Sequence, residues 1–268
     1  MKKEIKFWQV DAFASEAFKG NPAAVFVFEE EIDDATLQSI AIEMNQSESA
    51  FVLLRDGQNP LLRWFTPTFE IDLCGHATLA SSHVYLNYIH PELSDVTFDT
   101  KFVGPLNIAR DKDQYTMDFP IRKGEKLDTK DIPQIVLEAL GNKMPLEAWK
   151  ARDLMLVYDD AEWLRTVEPD FNLLKKYPDF VAITAKSDEE KYDFISRFFT
   201  AGDGLDEDPV TGSAHCTLTP YWAEKLQKIN LKAYQASKRG GALSLEIDHK
   251  SVRITGKAVT VIEGNLTL

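Results

Sequence analysis

A short pattern recurs half a chain apart, and it limits the possible folds more than any other feature. Residues 62–66 read L-R-W-F-T and residues 196–200 read S-R-F-F-T. Arg63 and Arg197 stand 134 positions apart (197 minus 63), half of the 268-residue chain. The first copy continues through Asp72, Leu73, Cys74, Gly75 and His76 into a run of small and apolar residues. The second continues through Asp206, Glu207, Asp208, Pro209, Val210, Thr211 and Gly212 into a similar run. Each copy reads as a strand, a turn with glycine, and a helix. Four matching positions alone would be weak, but the offset and the shared helical run point to duplication. Two similar lobes related by a pseudo-twofold axis are therefore expected, with a ligand cleft at their junction.

The rest of the chain supplies mostly strands. Short runs rich in Val, Ile, Phe and Thr are broken by Gly, Asn or Asp, for example at 24–28, 50–54, 181–184 and 243–247. Leu243, Leu245 and Ile247 alternate with Ser244 and Glu246, as a half-buried strand requires. Helices are predicted over 34–44 and 131–140. The runs 77–89 and 212–223 contain no Asp, Glu, Lys or Arg, and a helix without a charged face is usually buried. The expected fold is α+β: two pseudo-symmetric lobes, each an open β-barrel wrapped around a central helix. The first lobe is placed at 1–118 with a C-terminal strand, 259–268, returning to it, and the second at 119–258. The charged stretch 121–131 reads as the linker.

Charge narrows the partners. A formal net charge of -13 disfavours nucleic acid and anionic membranes, without excluding an anionic small substrate at a local site. No apolar run is long enough to span a bilayer. Met1-Lys2-Lys3 is basic, but no apolar signal core follows. The two cysteines, Cys74 and Cys216, then read as reduced thiols, and a cytoplasmic location is expected.

Several residues are candidates for chemistry. The N–H groups at a helix start lack intrahelical partners and carry partial positive charge. Gly75 and Gly212 would let a carboxylate or enolate approach those groups, with Ser213 beside them; tight turns alone would equally explain both glycines. His76 at a helix start is disfavoured as a cation, so a neutral imidazole is expected there. Asp208-Pro209 has the form of an N-cap followed by a first-turn proline. Crowding among Asp206, Glu207 and Asp208 would raise a pKa if the group were also buried. His83, His90, His215 and His249 show no metal-ligand spacing with each other or with the cysteines, so no metal is assigned. Glu48, between a helix and an apolar strand, reads from composition as a surface glutamate.

Seven segments, in order, alter that last reading. They are V-D-A-F at 10–13, G-N-P-A-A-V at 20–25, M-N-Q-S-E-S-A-F-V at 44–52, R-W-F-T-P at 63–67, L-C-G-H-A-T-L-A at 73–80, D-E-D-P-V-T-G-S-A-H at 206–215 and Q-A-S-K-R-G-G at 235–241. Together the chain resembles the PhzF-like (phenazine-biosynthesis-like) isomerases, which share the diaminopimelate-epimerase fold. The resemblance implies a cofactor-independent proton transfer between carbons of a small cyclic or aromatic carboxylate. It implies Glu48 as acid/base, assisted by His76 and Asp208, with Gly75, Gly212 and Ser213 binding the substrate. The expected partners are that substrate and, at most, a second copy of the chain in a homodimer. Two alternatives stand beside it. A cysteine-dependent racemase would use Cys74, but Cys216 lies a turn beyond Gly212 and does not match it. A non-catalytic carboxylate-binding protein would use the same surfaces.

Overall fold

The computed structural model describes residues 4–201 and 205–268; residues 1–3, on which the targeting expectation leans, and 202–204 lie outside it. The chain divides into two compact units, Met1–Asp118 with Thr255–Leu268, and Phe119–Ile254. In chain order the strands and helices begin with β1 (Glu4–Ala12), β2 (Asn21–Phe28), α1 (Asp34–Met44), β3 (Ser49–Leu53), β4 (Leu61–Phe65) and β5 (Glu70–Ile71). Then come α2 (Gly75–Val84), β6 (Asp95–Thr100), β7 (Leu106–Asp111), β8 (Gln114–Pro120), β9 (Glu125–Leu127), α3 (Gln134–Ala139), β10 (Glu147–Lys150) and β11 (Leu154–Tyr158). The rest are α4 (Ala161–Thr166), α5 (Phe171–Leu174), β12 (Val181–Lys186), β13 (Phe194–Phe199), β14 (Glu207–Asp208), α6 (Gly212–Leu226), β15 (Asn230–Gln235), β16 (Gly241–Ile247) and β17 (Ser251–Thr267).

In the first unit β1 pairs antiparallel with both β2 and β17. β2 runs parallel to β3, β3 antiparallel to β4, β4 parallel to β6, and β6 antiparallel to β7. β7 pairs with β8, and β8 pairs with β17. Among the described residues these eight strands close into a ring. The ring is a barrel with no free edge along its main strands. Helix α2 packs on β1, β2 and β3. Eight of its ten residues are buried, as its lack of charge implies. On the opposite face of β2 and β3, Ala24, Phe26 and Phe51 pack with Leu37, Ile40 and Ala41 of α1. Strands β2 and β3 are thus covered on both faces, so their sequences are almost continuously apolar rather than alternating.

The second unit repeats the pairing. β11 runs parallel to β12, β12 antiparallel to β13, β13 antiparallel to β14 and parallel to β15, and β15 antiparallel to β16. Parallel, antiparallel, then parallel is the sequence found from β2 to β6, and β14 stands where β5 stands. The repeated arginine performs the same task in each copy. Arg63 Nε and Nη2 grip the Glu70 carboxylate at 2.6 and 2.8 Å. Arg197 grips Glu207 at 2.7 and 2.8 Å. Each guanidinium also lies 5.1 Å from the ring two residues on, Phe65 or Phe199. One face of this sheet packs Val136, Leu164 and Leu174 of the short helices on Leu156, Ile183 and Ile195. Elsewhere in this unit, Trp222 of α6 stacks on Phe194 at 5.6 Å.

Two local readings need correction. The helix expected at 131–140 starts only at Gln134. Pro133 disfavours helical backbone at Ile132 and is itself suited to a helix start. The stretch 121–131 is more than a linker: β9 pairs with β10, and Arg122 N–H donates to Cys216 O at 3.0 Å. That carbonyl is available because Pro220, inside α6, has no N–H to offer it.

Backbone strain concentrates just ahead of β2. Gly20 has φ +64, and a Cβ there would sit 2.1 Å from Ala12 O. Gly20→Ala is expected to cost about 1–2 kcal/mol from the left-handed backbone alone, and more from a clash with main chain that cannot swing away. Urea unfolding of the variant measures it; an unchanged midpoint would show that the β1–β2 connection relaxes freely.

Candidate active site

Glu48 is set in place by the end of α1. The helix opens on Asp33, whose carboxylate accepts the Thr36 N–H at 3.0 Å, and closes on Asn45 at φ 49. Asparagine tolerates this left-handed conformation. Its N–H returns to Ala41 O at 3.1 Å, and the chain leaves the helix to reach β3 within four residues. Glu48 therefore stands immediately before a fully buried strand held between β2 and β4. Its side chain is only 19% exposed.

Two further elements of the first unit bring groups to this carboxylate. Cys74 caps α2 in extended conformation without a side-chain capping bond, and His76 lies in the first turn, 5% exposed. His76 Nε2 is 3.3 Å from Glu48 Oε2. On the other side of the ring, Asn21 Nδ2 lies 3.1 Å and Cys74 Sγ 3.4 Å from Nδ1. An Asn21 amide donating to Nδ1 leaves the proton on Nε2, the ring nitrogen 3.3 Å from Glu48 Oε2. Glu48 Oε2 is wholly buried and forms no aligned hydrogen bond. Burial therefore raises the Glu48 pKa, with the Ser47 hydroxyl and Cys74 thiol acting in the opposite direction. One donor atom from each of Glu48, Cys74 and His76 lies within 4.8 Å of the others, a grouping that could hold a metal ion.

In the second unit the helix start is built differently from expectation. Asp208 ends β14 and is not the cap; Thr211 is, and α6 begins at Gly212. Pro209 is pulled away from the helix because Gln235 bridges the preceding turn. Its amide donates to Asp208 O at 2.8 Å, and its Oε1 accepts the Thr211 N–H at 2.9 Å. The Asp208 carboxylate accepts the Thr211 hydroxyl. The crowded carboxylates are separated by partners: Glu207 is held by Arg197, and Asp206 by Lys175 at 3.0 Å. Ser213 Oγ receives Arg152 Nη2 at 3.0 Å. Cys216 is buried and pushed up to about 11, as an inert core thiol.

Two other histidines, His83 and His215, serve structure. His83 joins Tyr115 OH at 3.0 Å and Thr260 Oγ1 at 2.9 Å, and burial lowers it to about 4. His215 is fully buried, donates Nδ1–H to Thr211 O at 2.8 Å, and is likewise lowered to about 4. Sequence reasoning missed Asn21 and Arg152. The G-N-P segment offered a signal for Asn21, whereas Arg152 sits among ordinary charged residues.

These observations meet an independent one. A profile of the family described as "Phenazine biosynthesis-like protein" matches residues 10–264. The chain belongs to the PhzC-PhzF family. An isomerase of uncharacterized reaction from Pseudomonas aeruginosa is 44% identical over 266 residues, covering 99% of this chain and 100% of that protein. A crystal structure of a PhzF-family protein from Enterococcus faecalis is 42% identical and superposes with a TM-score of 0.93, covering 99% of this chain and 100% of that one. At 9% identity, a hydroxyproline epimerase from Agrobacterium vitis still gives a TM-score of 0.63, covering 100% of this chain and 94% of that one, so the fold is that of the epimerases. This PhzC-PhzF member is an enzyme of the isomerase class. No helix among the described residues is long and apolar enough to cross a membrane.

Proposed function

We propose that this PhzF-like isomerase moves a proton between carbons of a small cyclic or aromatic carboxylate, with Glu48 as the acid/base. The carrying observation is the buried Glu48 carboxylate, one oxygen without an aligned donor, 3.3 Å from His76 Nε2. Desolvation makes such a carboxylate a stronger base than a surface one. It takes a proton from carbon, the conjugated system and nearby N–H groups absorb the charge, and the same carboxyl returns the proton to another carbon. The chemistry uses only the carboxyl, so the proposal includes no cofactor.

His76 acts beside it as a neutral donor, fixed by Asn21. The N–H groups of Gly75 and its successors at the start of α2 suit a carboxylate or enolate oxygen. For the second unit we propose that Asp208, Gly212 and Ser213 also serve the substrate, with Arg152 beside Ser213 suited to an anionic group. Support for these roles comes from the family resemblance and from the polar bonds at the start of α6.

Cys74 supplies the test against thiol chemistry. Cys74→Ser is expected to retain activity within about tenfold, against the hundredfold or greater loss typical when a general base is removed. The ligand comes from a screen of cyclic and aromatic carboxylates for thermal stabilisation. An inactive Cys74→Ser beside an active Glu48→Gln would reverse the assignment and favour a cysteine-dependent epimerase. Ligand binding without turnover in any form would favour a carboxylate-binding protein.

A further inference from the structure

Glu48, Cys74 and His76 bring a carboxylate, a thiol and an imidazole close together. Their donor atoms lie within 4.8 Å of one another, with His76 Nε2 3.3 Å from Glu48 Oε2 and 4.0 Å from Cys74 Sγ. Tetrahedral zinc, with bonds of about 2.0–2.3 Å, separates such ligand atoms by roughly 3.3–3.6 Å. The nitrogen–oxygen edge already fits. The sulfur lies 3.4 Å from Nδ1 and 4.0 Å from Nε2, toward the Nδ1 edge of the ring, so it reaches the metal by a full swing of the Cys74 side chain to the Nε2 edge. Glu48 Oε2 is buried with no aligned hydrogen bond, so coordination would satisfy it.

We propose that these three residues form an inhibitory site for a thiophilic divalent cation, zinc above all. The thiolate and imidazole select zinc over magnesium or calcium, which prefer oxygen ligands. Sulfur, nitrogen and oxygen each give an electron pair, the thiol proton passes to solvent, and a water completes the fourth position. His76 binds through Nε2, and its Nδ1–H then needs an acceptor. Asn21, 3.1 Å away, provides one by turning its amide oxygen toward the ring. Asn21 can thus support the Nε2–H form in the free enzyme and the Nδ1–H form in the metal-bound one. The inhibitory part of the inference rests on the proposed role of Glu48; the binding part does not.

The purified chain is titrated with Co²⁺ alone, then with Zn²⁺ in competition. The expected result is one cobalt per chain with thiolate-to-cobalt charge-transfer absorption, displaced by zinc. Cys74→Ser should abolish that absorption, and Asn21→Ala should weaken zinc binding about 10- to 100-fold, with thermal melts confirming folded variants. Absorption showing only nitrogen and oxygen ligands would overturn the site, pointing instead to surface pairs such as His90 and Glu92. A thiolate band that survives in Cys74→Ser would overturn it too. Binding with the band but without loss of turnover would uphold the metal site and instead remove Glu48 from the reaction.

Discussion

Replacing Glu48 with glutamine is expected to cut turnover by about a hundredfold to ten-thousandfold, and further if this carboxyl carries the transferred proton itself. Ligand binding should persist, because glutamine keeps the size and most of the polarity. The same substitution should raise stability at neutral pH, and the sign follows from burial. Burial raises the Glu48 pKa, so the folded chain binds this proton more tightly than the unfolded one. That contribution is fully present below the unfolded glutamate pKa, about 4.3. It is lost as pH rises through the folded value. Above the unfolded value the wild type carries this linkage cost, and the variant, with no carboxyl to titrate, does not. Glu48→Gln should therefore melt higher at pH 7, with the gap closing toward pH 4. The titratable neighbours are His76 and Cys74, so the comparison is repeated in Cys74→Ser. A Glu48→Gln protein less stable than wild type at pH 7 would show that Glu48 is a structural anchor.

The second large effect belongs to Arg197. Its side chain is 9% exposed and that of Glu207 15%, and it also donates to Val167 O at 2.6 Å. Arg197→Ala leaves a nearly buried carboxylate and a helix-end carbonyl without their donor. Loss of one partner of such a pair costs about 3–5 kcal/mol, and the lower end applies because both groups retain some solvent. Removing both charges, in Arg197→Met with Glu207→Leu, should cost less than Arg197→Ala alone. Arg63→Ala should be milder, because Arg63 is more exposed and one of its partners, Asp34, is a solvent-facing acid. Denaturant midpoints decide it: a loss under about 1 kcal/mol for Arg197→Ala would class the pair with ordinary surface ion pairs.

The duplication was legible because its residues have structural work. Arg63 and Arg197 each fork onto a glutamate of the next short strand, which needs arginine at that place in both copies. The buried helices were legible because an uncharged helix has nowhere else to go. The Asp208–Pro209 pair misled because local capping preference yielded to a distant residue: Gln235, 27 positions on, holds the turn instead. Glu48 could not be found by composition, since a glutamate before a strand is ordinarily solvated. Only the fold reveals that β2 and β4 flank β3 and that α2 brings His76 to it. The approach of Cys74 and His76 to Glu48 is invisible to sequence spacing because Glu48 comes from a separate segment of the chain.

The central claim is that Glu48 exchanges a proton with carbon. It is tested most directly by incubating a carboxylate that stabilises the protein in deuterated water and following carbon-bound deuterium by mass spectrometry and NMR. Deuterium incorporation is expected with wild type and Cys74→Ser, and none above background with Glu48→Gln. Equal incorporation by wild type and Glu48→Gln would contradict it.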